Sequence, residues 1–259
     1  MSENHSEWAQ NAASARAKVT AFELPEVDTV AAGYELQDAY VGAVERTRGG
    51  VGGFKLAVNG KPQMAYFDVS EPASARIFAD EIHHSGVALP RAGFLDVSIE
   101  PELAAVLGPN VASLSGPVDR AGALAVIDRF YGAIELIDQR GIPMPQVKLP
   151  QAVALNVMNA GIVLGAGRIA PAALDLATLD VTLHLDGEVA AQVRAAAPQD
   201  PVEAVMWLLN HLLARGVNVA PGMVVMCGTH MPLRTLDRAT TEVSVAMSGL
   251  GSVSFSLVD

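Results

Sequence analysis

The chain has 259 residues and a formal net charge of −11, with no basic cluster denser than Arg46 and Arg48, which excludes the footprint that nucleic acid requires. Its one cysteine, Cys227, excludes an internal disulfide and a cysteine-built zinc site, and with 51% hydrophobic residues it can bury a large core. No apolar run reaches the roughly 18 residues of a membrane span, and Met1–His5 lacks the regions of a secretory signal, so a cytoplasmic protein is expected.

The first fifty residues read as helical. Ala-rich Trp8–Val19 is followed by Ala31–Arg48, where Leu36, Tyr40, Ala43 and Val44 recur near helical spacing. Gly49-Gly50 stops the second helix. From Gly52 onward short strand-like segments dominate, with Asn59-Gly60 and Asp186-Gly187 as hairpin signals. The latter joins Val181–Leu185 to Glu188–Val193.

Helices interrupt the strands at Ala73–His83, after Pro72, and at Asp119–Phe130. A third, Pro201–Arg215, is amphipathic, with Val205, Leu208, Leu209 and Leu212 on one side and Asp200 as its cap. Strands close the chain at Met223–Cys227, Thr240–Met247 and Gly251–Val258. The expected fold class is α+β: a mixed, β-rich body with an N-terminal helical cap over residues 1–50.

Chemistry concentrates in Ile99-Glu100-Pro101-Glu102-Leu103. Alternation along a strand points Glu100 and Glu102 to one face, where they repel unless a cation lies between them. A hard dication such as Mg²⁺ or Mn²⁺ takes oxygen ligands and resolves that conflict, the alternative being an exposed strand with two solvated acids. Glu135, inside Ala133-Ile134-Glu135-Leu136-Ile137, is either on a solvated face or an interior acid held charged by a cation. Lys55, one of four lysines, sits in the apolar run Val51–Ala57, as a proton carrier or as an edge lysine reaching solvent.

Other polar residues carry less. Neighbouring His83 and His84 diverge and read as a solvated helix end; His230 reads as a packed loop histidine or a cleft residue. Cys227 reads as core, and Gly165-Ala166-Gly167 lacks the strand–helix context of a phosphate loop.

Ile99–Gly108 resembles the Glu-x-Glu metal motif of the fumarylacetoacetate hydrolase superfamily. Gly53-Phe54-Lys55, Phe78-Ala79-Asp80, Ala133–Asp138 and Gly249–Val253 follow in the order of one branch, the 2-oxopent-4-enoate hydratases and 4-oxalocrotonate decarboxylases. The resemblance implies a β-roll-like catalytic domain over residues 51–259, working as a homo-oligomer. It implies Mg²⁺ or Mn²⁺ on Glu100, Glu102 and Glu135, Lys55 and Asp80 moving protons, and a small 2-oxo acid held near Phe54, Leu56, Asn159 and Arg194. Hydration of a 2-oxo-enoate is the expected reaction; decarboxylation of a 4-oxalocrotonate-type acid, or binding without chemistry, are the alternatives. A decarboxylase substrate would want a cation for its second carboxylate, and Arg194 is either that cation or, the more ordinary assignment, a surface arginine on a hairpin.

The chain also departs from the branch. Leu56-Ala57-Val58-Asn59 replaces a more polar stretch after the lysine. Asn156-Val157-Met158-Asn159-Ala160-Gly161 replaces a serine-bearing one, so that Asn159 stands for a hydroxyl and Met158 makes the pocket more apolar. Ala191-Gln192-Val193-Arg194 replaces small residues beyond Asp186-Gly187-Glu188.

Overall fold

A computed structural model describes residues 3–142 and 144–259, so that Met1 and Ser2 of the opening segment lie outside the described residues. In chain order the elements are α1 (Glu3–Lys18), α2 (Val30–Arg48), β1 (Val51–Ala57), α3 (Lys61–Tyr66), β2 (Ala73–Phe78), β3 (Ile82–His84) and β4 (Val87–Pro90). There follow β5 (Val97–Leu107), α4 (Arg120–Val126), β6 (Ile127–Asp138), α5 (Leu149–Ala154) and β7 (Asn159–Ile169). The last part holds β8 (Asp180–Leu185), β9 (Glu188–Arg194), α6 (Pro201–Ala214), β10 (Val224–Thr229), β11 (Arg234–Thr235), β12 (Glu242–Met247) and β13 (Gly251–Val258).

Two sheets form the body. The larger runs β2-β1-β10-β5-β6-β7-β3, with β11 on β5; the smaller runs β4-β13-β12-β8-β9. Ile99, Leu103, Ile134 and Leu136 fill the core between them with Val181, Val245 and Phe255. A second core lies under α6, where Val205, Leu208 and Leu209 meet Phe54, Ala105 and Phe130. Central strands therefore bury both faces, and any polar side chain on them needs a partner.

The N-terminal helices are tied to this body by polar contacts in a dry setting. Arg16 of α1 pairs with Glu81 and donates to the Asn159 carbonyl at 2.7 Å. Gln37 of α2 donates to the carbonyls of Ser74 and Val153, at 3.0 and 2.9 Å.

Several expected elements stand. Asp200 caps α6 by accepting from the Val202 N–H at 2.8 Å, with Pro201 at the first position. Asp186 and Gly187, at φ 50° and 83°, make the tight turn between β8 and β9. Others are corrected. Ala73–His83 is two strands, because Ala73–Phe78 is buried at every position and pairs with β1. The Asp119 cap is real, yet its helix stops at Val126, where Ile127 enters β6 opposite Leu107. Asn59-Gly60 makes no hairpin: the Asn59 side chain donates to the Cys227 carbonyl and Gly60 opens α3.

Candidate active site

Strand register assembles the site. Glu100 and Glu102 lie two residues apart on β5 and share a face; Glu135 on β6 is the register partner of Glu100. One carboxylate oxygen from each falls within 4.8 Å of the others. Lys55 on β1 pairs with Met226 of β10, which in turn pairs with Ala104 of β5, so the lysine joins the same face two strands away. Glu102, Glu135 and Lys55 are each 1% exposed, while Glu100 is half-buried.

Three of these charges have identifiable partners: Lys55, Glu135 and Glu102. Lys55 Nζ stands 2.5 Å from Glu135 Oε1 and donates an aligned hydrogen bond to the Val157 carbonyl at 3.1 Å. The Lys55–Glu135 contact is an ion pair without hydrogen-bond alignment, and Glu135 Oε1 accepts no other donor. Glu102 Oε2 accepts the Gly228 N–H at 2.7 Å, at an irregularity in the β10–β5 ladder. The proline between the two acids, Pro101, offers no N–H to that ladder, and its carbonyl takes the His230 N–H instead.

Gly228 is the residue that sequence reasoning passed over. It adopts φ +107°, and a Cβ there would lie 2.3 Å from the Asn59 side-chain nitrogen. Only glycine lets the Asn59 amide close over the bulge while the bare N–H meets Glu102. The signal was present in Cys227-Gly228-Thr229, a glycine ending a buried strand.

The Val157 carbonyl is delivered by strained backbone. Asn156, Val157 and Met158 all have positive φ, at 52°, 38° and 54°, which is costly for β-branched Val157. The Asn156 side chain holds the segment, accepting from the Arg76 N–H and donating to the Arg76 carbonyl, each at 2.7 Å.

Burial and mutual repulsion govern the carboxylates. Burial first, then the Glu135 charge, pushes Glu100 up to about 8. The same causes, in the same order, with Glu100 added, hold Glu102 well above the ordinary carboxylate range. Three acids crowded on one face, two of them driven toward the neutral form and only Glu135 paired with a cation, fit a bound dication.

These groups open on a cavity of about 370 Å³, walled by Lys55, the three glutamates and a mostly apolar lining. Leu56 contributes to that wall. Phe54 does not: strand alternation turns it into the core under α6. Asp80 is also outside the wall, half exposed beside Arg48 at 3.2 Å, because it lies on the turn after β2 rather than on the sheet. Asn159 is buried against Glu81, donating at 2.8 Å, and ties the sheet to α1 instead of lining the cavity. Arg194 is exposed at the end of β9 in the other sheet, 3.9 Å from Asp180. Thr229, not His230, reaches the cavity.

Known proteins resemble this chain in sequence and in fold. The 2-oxo-hept-4-ene-1,7-dioate hydratase of Escherichia coli is 28% identical over 251 residues, covering 92% of this chain and 90% of that one. The 4-oxalocrotonate decarboxylase of Pseudomonas sp. (strain CF600) is 30% identical over 78% of this chain and 75% of its own. In fold, the 4-oxalocrotonate decarboxylase of Pseudomonas putida G7, solved with magnesium and adipate, matches at TM-score 0.87 and 24% identity, over 99% of this chain and 98% of that one. The mixed β-rich body is thus the fumarylacetoacetate hydrolase-like fold. Its family model, the fumarylacetoacetate (FAA) hydrolase C-terminal family, matches residues 60–258, and the chain belongs to that family.

Proposed function

We propose that the chain is a divalent-metal-dependent hydro-lyase that adds water to a small 2-hydroxy-dienoate or 2-oxo-enoate, such as 2-oxopent-4-enoate. The observation that carries this is a buried lysine on the same sheet face as three clustered carboxylates, in the wall of a mostly apolar cavity. Relatives named as hydratases support it, among them the 2-hydroxyhexa-2,4-dienoate hydratase of Comamonas testosteroni at 29% identity.

Glu100, Glu102 and Glu135 would hold Mg²⁺ or Mn²⁺, which supplies Lewis-acid polarisation of a 2-oxo acid's oxygens when bound. The residues of the chain do the rest. Gly228 fixes Glu102 by its N–H, so that this ligand needs no reorganisation. Lys55, held between Glu135 and the Val157 carbonyl, is a donor whose proton faces the cavity rather than solvent. It delivers a proton to substrate carbon and regains one as water adds to the conjugated double bond. The apolar lining excludes bulk water from that exchange.

Lys55 is the proton carrier in this reading, and Asp80, expected as its partner, stays outside the cavity. The enzyme is read as a cytoplasmic homo-oligomer, its assembly carried over from the family resemblance and its compartment supported by the lone, buried, unpaired Cys227.

Purified protein given 2-hydroxypenta-2,4-dienoate with Mg²⁺ or Mn²⁺ should yield 4-hydroxy-2-oxopentanoate, seen by proton NMR. Carbon dioxide release from 4-oxalocrotonate without hydration of the dienoate would overturn the reading in favour of decarboxylation.

A further inference from the structure

The cavity that holds Lys55 has a charge balance and a lining that constrain the far end of its substrate. A dication and Lys55 together carry three positive charges, which Glu100, Glu102 and Glu135 already match. The site is thus neutral before substrate enters, and each carboxylate beyond the one next to the reacting carbons would add a charge with nothing left to balance it.

Beyond that point the wall offers no further cation. Among the described residues the lining holds Lys55 as its single basic side chain. Much of the remaining wall is apolar instead, with Phe67, Ile137, Met158, Pro232 and Leu233. Asn59, Gln63, Gln139 and Thr229 add neutral polar groups only.

Of the basic residues near these elements, Lys61 of α3 and Arg234 of β11 are exposed and outside the wall, and two others are committed elsewhere. Arg76 is bound to Asp38 and Gln37, at 2.5 and 2.6 Å. Arg140 faces Asp138 at 3.5 Å and the Arg16 carbonyl at 3.3 Å. Arg194, the cation the sequence offered for a second carboxylate, lies on the other sheet. A carboxylate carried into this lining would be desolvated without a counter-charge, which is among the costliest things a pocket can do. A hydrocarbon end gains from the same burial.

We propose that the site takes a monocarboxylic 2-oxo acid, or its dienol, whose far end is an uncharged hydrocarbon tail, and that it rejects the dicarboxylic acid of the same length. The hydro-lyase reading enters only in placing the reacting end at the glutamates; the choice of tail rests on the lining. About 370 Å³ corresponds to roughly twelve waters at ~30 Å³ each, ample for a six-carbon skeleton.

The test uses a matched pair differing only at the last carbon: 2-hydroxyhexa-2,4-dienoate, ending in methyl, and 2-hydroxymuconate, ending in carboxylate. With Mn²⁺ present, kcat/KM should favour the methyl-ended acid by on the order of 100-fold or more. Comparable or faster consumption of 2-hydroxymuconate, by hydration or by loss of carbon dioxide, overturns the proposal.

Calorimetric binding of 2-oxohexanoate and 2-oxoadipate to the Mn²⁺-loaded protein separates this from the reaction assignment. Neither ligand has a double bond to hydrate. If neither dienoate reacts but 2-oxohexanoate binds on the order of 100-fold more tightly, the hydro-lyase reading falls and the tail assignment stands. If 2-oxoadipate binds as well, or neither ligand binds, the tail assignment is wrong.

Discussion

Glu100 of β5 and Glu135 of β6 face each other directly across an antiparallel ladder. Like charges in that relation destabilise a sheet, and here both lie in a dry setting with Glu102 beside them. Lys55, 2.5 Å from Glu135, offsets one charge and leaves the rest uncompensated. The sheet thus concentrates its least favourable contact where a dication would reverse the sign.

Glu102→Gln should weaken Mg²⁺ or Mn²⁺ binding at least 10- to 100-fold, because it removes a charged oxygen ligand from a hard-cation site. The amide oxygen can still accept the Gly228 N–H, so the fold should survive. Isothermal titration checks this, and wild-type-like binding by the variant would sink the three-glutamate site.

Lys55→Met should lower turnover by about 10²–10⁴, the usual span for a general acid–base group. Metal affinity should hold or rise, since a positive charge leaves the neighbourhood of a cation site. Steady-state rates and metal titration on the same preparation read both quantities. Loss of metal and fold together would make Lys55 structural.

Much of this was legible from the chain. The i, i+2 spacing of Glu100 and Glu102 dictates a shared face on a strand, and the structure has it. Glu135 and Lys55 betrayed themselves as charges inside apolar runs. What the sequence hid is tertiary. Ala73–His83 is expected as a helix after Pro72, yet pairing with β1 and burial on both faces make Ala73–Phe78 a strand. Asp80 and Glu81 are neighbours in sequence, but the turn sends Asp80 toward solvent and Glu81 onto Arg16. Phe54 adjoins Lys55 in sequence and points to the opposite core for the same reason that Glu100 and Glu102 agree.

Asn156→Ala should cost about 2–4 kcal/mol, since it strands the Arg76 backbone N–H and carbonyl that the amide satisfies and releases a strained segment. Freed of that clasp, Val157 would withdraw its carbonyl from Lys55, and kcat should fall at unchanged metal affinity. Urea unfolding and metal titration measure the two effects; an active variant of wild-type stability would contradict the clasp.

Glu81→Gln should destabilise by about 3–5 kcal/mol, because Arg16 would remain buried without its counter-charge. Arg16 is 5% exposed and also contacts Tyr40 and the Asn159 carbonyl, so it cannot swing out to water. Proteolysis at Thr20–Pro25, in the link between α1 and α2, should speed up in the variant if α1 is held by this pair. An unchanged cleavage rate would show that apolar packing alone retains it.

His230 sets a pH window for stability. It is 5% exposed, its Nδ1 has no partner, and burial pushes its imidazole down to about 4. The unfolded chain takes that proton near the ordinary value of 6.5, whereas the folded chain refuses it until about 4. Between those values the unfolded state binds more protons, so the contribution is complete above pH 6.5 and declines as pH falls toward 4. The loss across the window should be of order 3 kcal/mol. His230→Gln removes the titration, and its stability should fall less steeply over the same range. Groups common to both proteins, His211 and the glutamate cluster included, cancel in the difference. Urea unfolding of both at pH 7, 5.5 and about 4.5 decides it: parallel curves would mean that His230 is hydrated in the folded state and that its neutral form contributes nothing.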